Sequence, residues 1–185
     1  MGSTNSTPDI QSCNVAMGRA AATPTNMDLP GLRGLAGASM GAGSAWPLSA
    51  CANRTDYVQS MVVGQDPTFT TVYGFRSAAA GPGNTYGSMN PQVMLPNNEI
   101  IYLLNGSAGS MALQCSGNRV QGDIFRVMAR LSANGEPFAS WYAASATFSS
   151  GSGNSIWNWP NGTAEMGSIN WPSLNGATIY WDILR

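Results

Sequence analysis

Histidine and lysine are both missing from the 185 residues, and only 9% of the chain is charged. Without histidine, neither a Ser/His/Asp nor a Cys/His nucleophilic arrangement can be assembled. Without lysine, and with no strand pattern before them, Gly31, Gly34, Gly37 and Gly41 do not form a phosphate-binding loop. The eight basic residues are all arginine and stand against nine acids, giving a net charge of −1. No basic arm or arginine cluster exists, which excludes direct packaging of nucleic acid. Cys13, Cys51 and Cys115 are widely spaced, odd in number and without metal-ligand spacing, so they read as reduced thiols with at most one intrachain disulfide. No metal and no cofactor are expected. Residues 2–14 are polar and no apolar run approaches ~18 residues, so neither a cleaved leader nor a membrane partner is expected. The Asn-x-Ser/Thr triplets at Asn5, Asn53, Asn105 and Asn161 are what a chain rich in these residues produces by chance.

Average soluble chains carry roughly 25% charged residues, so this surface must be covered by Ser, Thr, Asn, Gln, Gly and backbone. Little charge repulsion then keeps copies apart, which favours an assembled life. A neutral secreted domain rich in Ser and Asn has the same composition.

What is present is strand signal. From Phe125 to Leu131 the apolar Phe125, Val127, Ala129 and Leu131 alternate with Arg126, Met128 and Arg130, the period of a strand with one buried face. Asn134-Gly135 supplies the residues of a tight hairpin turn, and Phe138 to Phe148 reads as the return strand or strands. On this reading Phe125 and Leu131 are buried, and Arg126 and Arg130 lie on the exposed side, solvated or paired with Asp or Glu in preference to forming a partner-binding face. Before the hairpin, Tyr57 to Val63, Thr68 to Phe75, Glu99 to Leu104 (buried on both faces) and Ser110 to Cys115 read as strands, with Ser77 to Asn90 as a long loop. After it come a Gly/Ser loop, Ser149 to Ser155, then the strands Ile156 to Trp159 and Ala177 to Leu184. The expected fold class is all-β: a jelly-roll-like β sandwich of about eight short antiparallel strands. Residues 1–52 form an extended N-terminal arm and linker, ordered on a partner, and residues 53–185 the sandwich domain. Within the arm, Asp28 is placed to cap, and Leu32, Leu35 and Ala36 fall at i, i+3, i+4. That spacing allows one or two helical turns ended by Gly37. Trp46-Pro47 is the only bulky anchor of the linker.

The nine carboxylates are scattered; Asp123 and Glu136 flank the hairpin and are read as solvated acids in preference to a glycosidase pair. Trp157, Trp159 and Trp171, beside Asn158, Asn161 and Asn170, offer two readings. Planar rings and amides make a sugar-binding face, while the alternation of Trp157 and Trp159 places both rings inward as core, the reading preferred here.

The run Asp28-Leu-Pro-Gly-Leu-Arg-Gly-Leu-Ala-Gly37, followed by Gly41 to Ser49, resembles an N-terminal segment of bacteriophage virion structural proteins. Val72 to Phe75, Tyr86 to Asn90, Glu99 to Tyr102, Ala144 to Ser149 and Ile156 to Trp159 are similar to parts of a β domain in phage tail, baseplate and fibre-associated proteins. This chain departs from the pattern at Arg126 and Arg130, where the family's strand is polar and aromatic. The resemblance implies a non-enzymatic virion component, assembled in the host cytoplasm, whose partners are copies of itself and other virion proteins. Assembly contacts are then expected at Leu29, Leu32, Arg33, Leu35 and Trp46. Alternatives are a receptor- or carbohydrate-binding module at a tail tip, touching host-surface glycan through Trp157, Asn158, Trp159 and Trp171, or a capsid or head-decoration subunit.

Overall fold

The β-branched and aromatic runs form strands, and small residues break them. A computed structural model describes residues 2–3, 9–17, 21–22, 30–37, 45–52, 55–94 and 99–185. In chain order the strands are β1 (Gly2–Ser3), β2 (Thr55–Val62), β3 (Gly64–Gln65), β4 (Tyr73–Arg76), β5 (Ser88–Asn90) and β6 (Val93–Met94). They continue with β7 (Glu99–Gly106), β8 (Met111–Ser116), β9 (Arg126–Arg130), β10 (Pro137–Tyr142), β11 (Thr147–Gly151), β12 (Asn154–Trp159) and β13 (Thr178–Leu184). Sheet A has the order β1-β2-β13-β9-β10, with β5 also beside β2; sheet B has the order β11-β12-β8-β7-β4-β3, with β6 beside β7. All pairings are antiparallel. The expected all-β sandwich is present, with more and shorter strands than the eight or so anticipated.

Tryptophan fills the space between the sheets. On β12, Ser155, Trp157 and Trp159 point inward while Asn158 is exposed, as the alternation predicted. Trp181 of β13 is the centre of an aromatic stack, with ring centroids 6.1 Å from Trp141 and 6.2 Å from Trp171. Three of the buried indoles satisfy their N–H groups on backbone carbonyls: Trp157 on Gln121 at 3.1 Å, Trp159 on Tyr142 at 2.7 Å and Trp171 on Ser110 at 3.1 Å. A buried indole N–H left unpaired would be costly, so each of these bonds ties a loop to the core.

The central hairpin differs from its sequence reading in three respects. Its connection is a six-residue loop from Leu131 to Glu136, and Asn134 and Gly135 are absent from the positive-φ residues. The loop is held by Gly135 N–H on Ser132 O at 3.1 Å and by the Arg130 guanidinium on Ala133 O. Leu131 therefore lies beyond the strand and is 62% exposed, and Phe125 is only half-buried, while Val127 and Ala129 are in the core as expected. The return run 138–148 is divided: Ala143–Ser145 turns the chain out of sheet A so that β10 and β11 lie in different sheets. The tight hairpin is instead β11–β12, where Ser152 (φ 53°) and Gly153 (φ 78°) join Gly151 to its partner Asn154. Both central residues carry the positive φ of the turn whose twist matches the flanking strands. The Gly/Ser segment expected as a loop is thus mostly strand. β7 also differs from expectation: Ile100 is 40% exposed, so that strand buries one face.

Replacing Trp181 by Ala should cost about 3–5 kcal/mol, since the ring contacts two other indoles and no neighbour can fill the void. Urea unfolding monitored by circular dichroism measures it; a loss below about 1 kcal/mol would mean the stack is not the core's centre.

Candidate functional site

The outer face of sheet A is where the sequence placed solvent and the structure places protein. On β9 the side chains facing away from the core are Arg126, Met128 and Arg130, and the register aligns Leu184 and Tyr142 with Arg126, and Asp182 with Met128. Asp56 of β2 lies across from Leu184 on the same face. Arg126 is 0% and Arg130 3% exposed, so this face is not open to solvent as expected; of the two states anticipated for the arginines, solvated or paired with an acid, both are paired. The cover comes from the N-terminal segment. Helix α1 (Ile10–Ala16) is capped by Asp9, whose carboxylate accepts from Ser12 N–H at 2.7 Å while Ser12 Oγ accepts from Asp9 N–H at 3.0 Å. Helix α2 (Pro30–Leu35) ends at Gly37 with φ 70°, where the Leu/Leu/Ala spacing put its end. Cys13, Ala16, Leu32, Leu35 and Cys51 pack on Met128 and Leu184 as a second apolar cluster.

α2 approaches the sheet through its glycines. A Cβ on Gly34 would stand 2.3 Å from Met128 Sδ, and one on Gly31 3.2 Å from Glu136 Oε2, which accepts from Gly31 N–H at 2.8 Å. Arg126 then reaches the end of the helix: its Nη1 donates to Gly34 O at 2.8 Å, which also accepts from Gly37 N–H at 3.0 Å, and to Arg33 O at 3.3 Å. Its Nη2 pairs with Glu165 at 3.0 Å and bonds the Tyr142 hydroxyl, and the guanidinium carbon lies 4.1 Å from the Tyr142 ring centre. Tyr142 in turn donates to Gly37 O at 3.3 Å.

Arg130 pairs with Asp182, and Asp56 stands beside Asp182 with Met17, Gly31 and Pro137 closing over them. Burial first, and the neighbouring Asp182 charge second, push the Asp56 carboxyl well above its ordinary range; Arg130 opposes them. The space among them is about 10 Å³, which holds no more than one water, so this carboxylate pair has no room for a substrate.

The residues expected at assembly contacts are distributed as follows. Leu32, Arg33 and Leu35 are buried within this chain, Trp46 is half-buried against the same cluster, and Leu29 and Asp28 lie outside the described residues. Asp123 and Glu136 do not meet: Asp123 accepts from Arg185 at 3.2 Å, and Glu136 serves Gly31. Sequence reasoning gave no role to Asp56, Asp182, Tyr142 and Glu165; of these only Asp182, in Ile-Tyr-Trp-Asp-Ile-Leu, carried a signal, a lone charge in an apolar run.

The candidate sugar-contact residues lie elsewhere. An open cleft of about 460 Å³ runs between Thr70, Thr71, Gly109, Asn161, Asn170 and Trp171. An adjoining groove of about 300 Å³ includes Asn158 and Trp159. Trp157, Trp159 and Trp171 are themselves buried to 1% exposure or less, so none offers a ring face to a sugar, and Trp157 instead packs on Phe148 at 4.9 Å. Asn158 is exposed.

No protein-family model, curated protein or solved structure matches the chain. Among the described residues no group of three or more Cys, Asp or Glu is placed to hold a metal ion.

Two outcomes follow. Arg126→Gln should cost about 3 kcal/mol in chemical denaturation, because it removes the buried cation that pairs with Glu165 and a donor to the Gly34 and Arg33 carbonyls; a loss under about 0.5 kcal/mol would mean the layer is not fastened there. The raised Asp56 carboxyl stabilises the fold while it is protonated. That contribution is complete below about pH 4, the unfolded value, and is lost as pH rises through the raised folded value. The denaturation midpoint should therefore fall from about pH 5 towards pH 8, and Asp56→Asn should flatten the profile; an unchanged slope in the variant would refute the assignment.

Proposed function

We propose that the chain is a non-enzymatic structural subunit of a bacteriophage particle, in the tail, baseplate or a fibre attachment, that assembles with copies of itself and other virion proteins. The observation that carries this reading is the surface. Among the described residues Asp9 is the one fully exposed charge; most of the others are engaged within the fold, in ion pairs such as Arg119 with Glu99, Arg126 with Glu165 and Arg130 with Asp182, or on backbone groups, as Arg76 and Glu136 are. The described surface therefore carries little repulsion between copies and loses little ion hydration on being covered.

The strand edges agree with it. β11 is the outer strand of sheet B, with Thr147, Ser149, Ser150 and Gly151 exposed and no charge or proline along it. Alternation in the β11–β12 ladder turns the N–H and C=O groups of Phe148 and Ser150 outward. Monomeric proteins block such an edge with charge, proline or a bulge, and this one is open. The phage resemblance also falls on structured parts: its leucine/arginine segment is α2, and Val72–Phe75, Glu99–Tyr102 and Ile156–Trp159 lie in β4, β7 and β12 with Val72 just ahead of β4.

One observation favours a second reading, a glycan-binding module at a tail tip. The 460 Å³ cleft carries the hydroxyls of Thr70, Thr71 and Ser168 and the amides of Asn161 and Asn170, groups that bond sugar hydroxyls, among the apolar Ile169 and Pro172. The buried tryptophans withdraw the stacking half of that chemistry, so the structural reading is preferred.

Sedimentation of the purified chain should show association that grows with protein concentration and changes little between about 50 and 500 mM salt, because exposed charge pairs are not what holds it. Ser149→Lys should weaken it by placing a charge on the open edge. Phage particles probed with an antibody to this chain should be decorated at one structural position. Particles without the chain would overturn the proposal.

A further inference from the structure

The layer over sheet A brings together two of the three cysteines. Cys13 of α1 and Cys51, at the end of the 3-10 turn Leu48–Cys51, are both fully buried in the cluster that holds Leu32 and Leu35. The two side chains lie in one buried cluster, near enough for Cys51 to act directly on Cys13. That contact is the chief reason the Cys13 thiol lies below its ordinary value, with burial opposing it; Asp9 is the carboxylate that faces it and also opposes. Cys115 is a different case. It sits on β8 in the core between the sheets, and burial pushes its thiol up to about 12. Neighbouring thiols in one cluster, one of them inclined to ionise, are the condition for exchange; an isolated high-pKa thiol is inert.

We propose that Cys13 and Cys51 are a redox clasp, a dithiol that closes to a reversible disulfide and fastens the N-terminal layer onto sheet A. The oxidant is a small-molecule disulfide of the glutathione type. The Cys13 thiolate attacks one of its sulfurs, forming a mixed disulfide and releasing one glutathione thiolate. Cys51 then gives up its proton, and its thiolate attacks the Cys13 sulfur, expelling the second glutathione. Two protein thiols and one disulfide become one protein disulfide and two free thiols, and excess glutathione reverses both steps. The oxidant gains entry when the layer opens locally, an opening that the finished bond removes.

The closed loop, from residue 13 to residue 51, contains all of α2. Closure therefore holds Gly31 and Gly34 against the sheet and keeps the α2 carbonyls on Arg126. The clasp does not depend on the chain's place in a particle; it requires only these two residues and a change of redox environment.

The test uses the full chain equilibrated across glutathione buffers from reducing to oxidising, quenched with an alkylating agent under denaturing conditions and mapped by mass spectrometry. In reducing buffer all three cysteines should alkylate. In oxidising buffer only Cys115 should, with a peptide linked between Cys13 and Cys51, an intact mass lower by about 2 Da before alkylation, and a melting temperature higher by about 5 °C. Cys115→Ser should keep the link, and Cys13→Ser should abolish it. A link through Cys115, a disulfide dimer, or three free thiols in the most oxidising buffer would each overturn the proposal, and the wild-type and Cys115→Ser maps decide even if Cys13→Ser fails to fold.

Discussion

Everything on the outer side of sheet A depends on one buried guanidinium. Arg126 is a charge taken wholly out of water, and the fold compensates with a carboxylate, a phenol, an aromatic face and the carbonyls that end α2. Remove the cover and the arginine would be solvated but Met128 and Leu184 would be exposed; remove the arginine and the helix end would lose its donor from the sheet, leaving Gly34 O with the Gly37 N–H. A six-residue helix has too few internal bonds to stand alone, so its stability comes from this docking. The buried charge thus ties the N-terminal segment to this place on the sheet, by giving its helix end a donor from β9.

The same constraint explains what was legible in the sequence. The period of β9 was correct and its core face, Val127 and Ala129, was identified; the other face was misassigned because alternating arginines look identical whether they meet water or a covering layer. Exposure is set by a segment some ninety residues away, and period carries no information about it. The tryptophans show the opposite case: Trp157 and Trp159 alternate with Asn158, and both rings are inward because their own strand determines the face. Of the candidate ligand residues, Asn158 alone keeps an open surface. Asp9 and Ser12 carried a capping-box pattern that would have marked α1.

The turns failed for a different reason. Asn134-Gly135 has the composition of a two-residue turn, but Arg130 bonds Ala133 O and Glu136 bonds α2, which draws the loop out to six residues. Ser152-Gly153 has a weaker signature and adopts the positive-φ pair, because its ladder leaves only two residues to close it. Tertiary partners overrode local preference at both sites, and at the first those partners belong to the layer over sheet A.

A chain with so few charges places them where they specify structure. Ion pairs at a surface contribute little, while buried ones cost desolvation and are kept where geometry demands them. Here Arg126 positions α2, and Arg130 with Asp182 and Asp56 anchors the space beneath Met17 and Gly31. Spending the charges inside leaves a surface of hydroxyls, amides and backbone, and an edge strand without a gatekeeper. Such an exterior is poorly protected as a free monomer in solution. Covering β11 with another strand would satisfy its outward amides and displace no ion hydration, so the economy of charge within the fold and the readiness of its surface for assembly have one physical origin.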